Sequence, residues 1–221
     1  MKAIARPLTL KEKALSELRN SIMLGQLKPG QRLVERTLGE YLQVSRTVIR
    51  ECIRHLESER LVTIIPNSGP IVTELNEQQV REIYQLRALL ESEGVKQCAL
   101  KITEAESKKL SQMVDKIETQ LKDKQVIKAL EVTTKLYQKI FSIGGLSISW
   151  DLIAQLNSRI NQLRIRSLSS SERINLGPKS LRAVVDAISR NAPDEAAQAS
   201  KRHVLEAMNA GLKETNKLNT H

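Results

Sequence analysis

Residues 44–62 read VSRTVIRECIRHLESERLV and set three arginines, Arg46, Arg50 and Arg54, four residues apart. On a helix that spacing lines all three along one side, while Ile49, Ile53 and Leu56 share the opposite side. Ser45 stands at the position where a serine hydroxyl accepts from an unpaired backbone N–H of the first helical turn. The stretch therefore reads as a short helix, from Arg46 to about Arg60, that buries one apolar stripe and turns a row of guanidinium groups outward.

The flanking segments say what supports this helix. Upstream, Leu10, Ala14, Leu15, Leu18 and Ile22 fall on one helical face and predict a helix over about 9–24. GQLKPGQRL ends it, because Gly25, Pro29 and Gly30 are turn residues, and a second short helix is expected over 35–42. Downstream, LVTII, PNSG and PIVTEL predict strand, turn and strand. Three helices closed by a two-stranded ribbon make a winged helix-turn-helix, which we place at residues 1–75.

From Asn76 onward the pattern changes to long helices alone, expected near 77–100, 104–121, 126–144, 148–167, 178–191 and 195–212. Thr103 and Glu106 have the spacing of a capping box, IGGLS is a tight connection, SSSERINLG is the longest loop, and Asp194 is expected to cap the last helix. Residues 76–221 thus read as an antiparallel helical bundle. The fold class is mainly α: an N-terminal winged helix-turn-helix followed by an all-α antiparallel bundle.

Composition agrees. Aromatic residues make up only 2% of the chain, which argues against RNA-binding folds that stack bases on an aromatic platform. The net charge of +10 points to a polyanionic partner, whether DNA, RNA or an anionic membrane. Residues 1–74 carry 12 Lys and Arg against 8 Asp and Glu, and the remainder 23 against 17, so both parts share the excess. Placement, not total charge, has to identify the partner. The start MKAIARPLTLKEKAL lacks an apolar signal-peptide core and no apolar run is long enough to span a bilayer, so a cytoplasmic location is expected. Cys52 and Cys98 have neither metal nor redox spacing and read as small buried thiols.

The segment IMLGQLKPGQRLVERTLGEYLQVSRTVIRECIRHLESERLVTIIPNSGPIV resembles the DNA-binding half of the GntR regulators, which share its Pro-Gly, Arg-Leu, Ser-Arg-Thr and Arg-Glu landmarks and its wing glycine. EIYQLRALLESEGVKQCA resembles the opening helix of the FCD effector domain, which implies the FadR-like subfamily. The resemblance implies DNA contacts from the start of the third helix, Ser45, Arg46, Thr47 and Arg50, from Arg36 on the second helix and from Gly69 in the wing. The physics points the same way, since a guanidinium presents paired donors that match guanine O6 and N7 in the major groove. Arg54, one turn further on, is expected at a phosphate. The plainer alternative is a solvated face held by ion pairs of Arg50 or Arg54 with Glu57. His55 lies outside the contact pattern and reads as a surface or packing residue.

FCD domains typically hold a divalent metal, which in turn holds a carboxylate ligand, through an Asp, a His four residues later and two more His on the last two helices. Matched to this chain, those positions fall on Thr133, Tyr137, Leu181 and His203. Leucine cannot coordinate and a neutral threonine hydroxyl is a poor ligand, so no metal and no other cofactor is expected. Helical phase offers a substitute. Val80, Ile83, Tyr84, Gly94 and Cys98 define an inward stripe with Arg87 at its centre, and an arginine aimed into a core must find an anion. Glu91, four residues on, and a carboxylate effector are both open as that anion. Tyr137 points inward, Arg159 and Arg164 flank the apolar stripe of their helix, and His203 is surrounded by Ala196, Ala199, Ser200 and Ala207. His203 is then either a packed, hydrogen-bonded side chain or an effector contact.

The function expected is a ligand-responsive transcription regulator, in keyword terms a repressor. It would act as a homodimer on a short palindromic operator, with a small acidic effector bound without metal at Arg87, Thr133, Tyr137, Arg159, Arg164 and His203. Two alternatives stay in the same class: a metal-dependent carboxylate sensor with substitute ligands, and a constitutive DNA-binding dimer. An enzyme is not expected, because there is no Gly-rich phosphate loop and no nucleophile motif.

Overall fold

The computed structural model describes residues 9–168 and 171–218, with backbone alone for 166, 171–175 and 213–218. It divides into two compact units, Met1–Glu74 and Leu75–His221.

In the first unit α1 (Leu10–Met23), α2 (Glu35–Leu42) and α3 (Arg46–Ser58) surround a core that includes Leu18, Ile22, Leu38, Ile49, Ile53 and Leu56. Thr9 and Glu12 form a capping box that starts α1. Leu10, expected on the buried stripe, is instead 69% exposed, because the first helical residue lies beyond the edge of the core. α3 ends at Ser58, two residues before its expected stop, where Arg60 turns the chain with a φ of 60°. Arg19 binds the Glu59 carboxylate through two nitrogens and ties α1 to the end of α3. Strands β1 (Val62–Ile65) and β2 (Gly69–Val72) pair antiparallel, Val62 opposite Val72 and Ile65 opposite Gly69. Gly69 has a φ of +84° at the exit of the wing turn, a conformation that costs glycine nothing and other residues a good deal. Arg32 bridges to Ile71 and extends the ribbon.

The second unit is a bundle of α4 (Glu77–Lys101), α5 (Glu104–Lys122), α6 (Val126–Gly144), α7 (Ser147–Leu168), α8 (Ser171–Ser189) and α9 (Pro193–Leu218). Capping boxes at Asn76 with Gln79 and Thr103 with Glu106 set the starts of α4 and α5. Gly145, in the left-handed conformation, closes α6. α4 is the central helix and packs against α6, α7, α8 and α9. Its inward stripe of Val80, Ile83, Tyr84, Arg87, Glu91, Gly94 and Cys98 is buried throughout.

Two expectations need correction. The segment SSSERINLG is expected as the longest loop; its first two serines lie outside the described residues, and from Ser171 the backbone is helical and runs on through Pro178 as α8. Gly177 and Pro178, both poor helix formers, are buried there, so tertiary packing overrides local propensity. Asp194 does not cap α9, which starts one residue earlier at Pro193. A proline suits that first position because its missing N–H would have had no partner. Asp194 instead pairs with Lys96 at 2.7 Å.

Gly94 provides a stability test. A Cβ there would meet Phe141 Cζ at 2.7 Å, and the ring is itself fully buried and tilted against Trp150 at 5.9 Å between centroids. Gly94→Ala is expected to destabilise the helical unit by about 1–3 kcal/mol, the usual range for overpacking. Urea unfolding followed at Trp150, the chain's single tryptophan, measures it.

Candidate nucleic-acid interface and ligand cavity

Two arrangements carry chemistry, one in each unit. In the first, the hydroxyl of Ser45 accepts from Val48 N at 3.3 Å and starts α3, which fixes where the arginines emerge. Arg36, Arg46, Thr47, Arg50 and Arg54 are all exposed, and Gly69 lies in the wing. Arg50 pairs with Glu35 of α2 and not with Glu57. Arg50 Nε donates to Glu35 Oε1 at 3.0 Å and Nη2 to Oε2 at 2.8 Å. Those bonds hold the Glu35 carboxylate below its usual range, and Arg46 and Arg54 add to the pull. Arg50 alone is bonded to that carboxylate, and Arg46 and Arg54 act on it only through their charge. Among the described residues Arg46 and Arg54 have no ion pair, and Arg36 has only a long contact to Glu40 at 3.9 Å. His55 is exposed and 3.2 Å from Glu59.

In the second unit a cavity of about 60 Å³ lies among α4 to α9. Arg87, Thr133, Arg164 and His203 contribute to its wall, together with Leu130 and Leu181. Of the other expected contacts, Tyr137 is buried beneath Arg164, whose Cζ lies 5.3 Å from the ring centroid, and Arg159 is half-buried and does not line the cavity.

The charged wall is a buried cluster around Glu91. Arg87 Nε donates to Glu91 Oε1 at 2.8 Å, and Arg164 Nη2 approaches the same oxygen at 3.5 Å. Arg87 also stacks on Tyr84, 5.0 Å from its centroid. Burial alone would raise the Glu91 pKa, but Arg87 and then Arg164 outweigh it and keep the carboxyl below its ordinary value. Burial pushes the Tyr137 phenol up, and the Glu91 charge pushes it further. The Tyr137 hydroxyl faces that carboxylate without a well-formed hydrogen bond.

The donor set does not suit a divalent metal. Thr133 Oγ1 donates to Ala129 O at 2.8 Å, Leu181 has no donor atom, and His203 Nδ1 sits 2.7 Å from Ser180 Oγ. Two guanidiniums on the same wall would repel a cation. Among the described residues no three His, Cys, Asp or Glu side chains come together.

Two participants were not anticipated. Glu35, which holds Arg50, is fifteen residues away from it, and only the packing of α2 on α3 brings them together. Ser180, the partner of His203, carries no signal in a mid-helical serine.

The chain matches the FCD domain family over residues 82–206 and the bacterial regulatory proteins of the gntR family over residues 10–72. It is 27% identical over 150 residues to the Escherichia coli K12 HTH-type transcriptional repressor RspR, a match that spans 68% of this chain and 66% of that repressor. In fold it is similar to E. coli McbR/YncC, with a TM-score of 0.74, 20% identity, and coverage of 95% of this chain and 100% of the other. A putative GntR transcriptional regulator from Rhodococcus sp. RHA1 also superposes with a TM-score of 0.74 at 19% identity, covering 92% and 97%.

Proposed function

Because the chain belongs to the GntR family of bacterial regulatory proteins and carries an FCD domain, we propose that it is a ligand-responsive DNA-binding transcription regulator. It works as a homodimer on a short palindromic operator and answers to a small acidic effector held without metal in the helical unit. The observation that carries the DNA reading is the exposed row of Arg46, Arg50 and Arg54, presented by a Ser45-capped helix beside the wing. The observation that carries the effector reading is a cavity walled by two buried arginines that have one carboxylate between them. RspR is named a repressor, and repression is the expected sense of regulation here. The family and the relatives named above are regulators of transcription, not enzymes. Among the described residues no helix is long and apolar enough to cross a membrane, and action on DNA goes with a cytoplasmic location.

One winged module reads one half-site, so tight and specific binding asks for two held in fixed relation. The helical unit is the part suited to pair them. Leu86 and Leu89 on α4 and Ile148 and Leu152 on α7 are large apolar side chains left 40–77% exposed. Light scattering of the full chain at micromolar concentration should give twice the chain mass of 24.9 kDa. A monomer at that concentration would overturn the homodimer.

Arg54 provides a separate test of the DNA contacts. If it meets a phosphate, Arg54→Ala weakens binding to all sequences alike and lowers the slope of log affinity against log salt by about one. Fluorescence anisotropy at four or five salt concentrations reads both effects, and a loss confined to one sequence would assign Arg54 to a base instead.

A further inference from the structure

Around Glu91 the buried charges do not balance. Arg87 and Glu91 are each 1% exposed and the Arg164 side chain 11%, so two cations share one carboxylate in the core of the bundle. Arg87 Nη1 is buried and has no hydrogen-bond partner. Arg164 reaches Glu91 only at 3.5 Å and otherwise donates to Asn161 at 3.2 Å. Burial, and then repulsion from Arg87, press its pKa below the ordinary arginine range. Among the described residues the cluster thus carries one positive charge in excess, and a buried charge without a partner is strongly unfavourable.

Both arginines belong to the wall of the cavity, and most of the remaining wall is hydrocarbon, including Ile117, Leu121, Leu130, Leu168 and Leu181. An occupant must therefore offer one negative charge at one end and little else that is polar. A second carboxylate would meet mainly leucines, apart from Thr133, Ser167 and a His203 imidazole that Ser180 already engages. A neutral amide would leave the excess charge standing. The cavity volume of about 60 Å³ favours a short hydrocarbon part.

We propose that the cavity selects a short aliphatic monocarboxylate, with its carboxylate at Arg87 and Arg164 and its chain among Leu130, Leu168 and Leu181. The assignment rests on the cavity being the effector site and adds the charge and the shape of what fills it. Glu91 sets the selectivity, since it leaves one positive charge where two would favour a dianion.

The test is calorimetric titration of the full-length, chelator-treated protein with acetate, propanoate, butanoate and pentanoate, and with succinate and butanamide as controls. Affinity should rise about fourfold for each added methylene until the cavity is full, the factor that corresponds to burying one CH₂. Succinate and butanamide should bind at least thirtyfold more weakly than butanoate. Arg164→Met leaves the Arg87–Glu91 pair intact and makes the cluster neutral; it should unfold cooperatively like the parent yet lose butanoate binding by a similar factor. If succinate binds as tightly as butanoate, the charge assignment is wrong while an acidic effector stands. Equal binding of butanamide and butanoate, or affinity that ignores chain length, would also overturn it. If no acid binds, or binding returns only with added zinc, the effector reading fails together with this one.

Discussion

Glu91→Ala is expected to destabilise the helical unit by about 3–5 kcal/mol, the range found when one member of a buried ion pair is removed and the other is left behind. Here the loss strands two guanidiniums, and neither has another carboxylate within reach among the described residues. The Tyr84 and Tyr137 rings beneath them offset only part of that, since a cation–π contact contributes about 2 kcal/mol at best. Arg87→Met should have a smaller effect, because Arg164 remains to face Glu91. Denaturation followed at Trp150 ranks the two variants, and an effect below about 1 kcal/mol for Glu91→Ala would mean that the cluster is hydrated. The same pair sets a pH dependence. The folded-state pKa of Glu91 lies below its ordinary value of 4.5, so its stabilising contribution is complete above that pH and is lost progressively as pH falls below it.

The second large effect is expected at α3, the helix proposed to face DNA. Arg46→Ala and Arg50→Ala should each reduce affinity for the cognate operator by about tenfold to a hundredfold, while affinity for unrelated DNA falls far less. Glu35 sharpens the expectation for Arg50. Its two hydrogen bonds to the guanidinium either aim Arg50 at a base or compete with that base. An ion pair this exposed contributes little by itself, so DNA contact prevails in either case. The two cases separate on Glu35→Gln: specificity falls if Glu35 aims the arginine, and affinity rises for every sequence if it only competes. Anisotropy with operator and scrambled duplexes measures both, and parent-like operator binding by both alanine variants would remove the recognition-helix assignment.

Local chemistry made much of the fold legible. Ser45, Thr103 with Glu106, and the α6 terminus at Gly144 and Gly145 mark helix ends through hydrogen bonds and backbone conformations that act within a few residues. Arg87 was readable for a related reason, since 3.6-residue periodicity places it among Val80, Ile83 and Tyr84 whatever the rest of the bundle does. Arg164 and Arg159 were not separable in this way. Both flank the same stripe, and only the packing of α7 carries one to Glu91 and leaves the other off the cavity. Glu35 with Arg50 and Ser180 with His203 are likewise tertiary pairs between helices. At residues 171–178 local signals pointed the wrong way, because Gly177 and Pro178 are breakers by propensity and buried helix residues in fact.

If Arg87 and Arg164 hold the proposed acidic effector without metal, its binding should change the affinity for DNA. The most direct test is the affinity of chelator-treated protein for an operator duplex selected from random sequence, measured by anisotropy with and without a panel of small carboxylic acids. At least one acid should change the affinity fivefold or more, the lower end of ordinary allosteric coupling, and added zinc should change nothing. An operator affinity that no acid alters, or that responds only once zinc is restored, would contradict an effector held without metal.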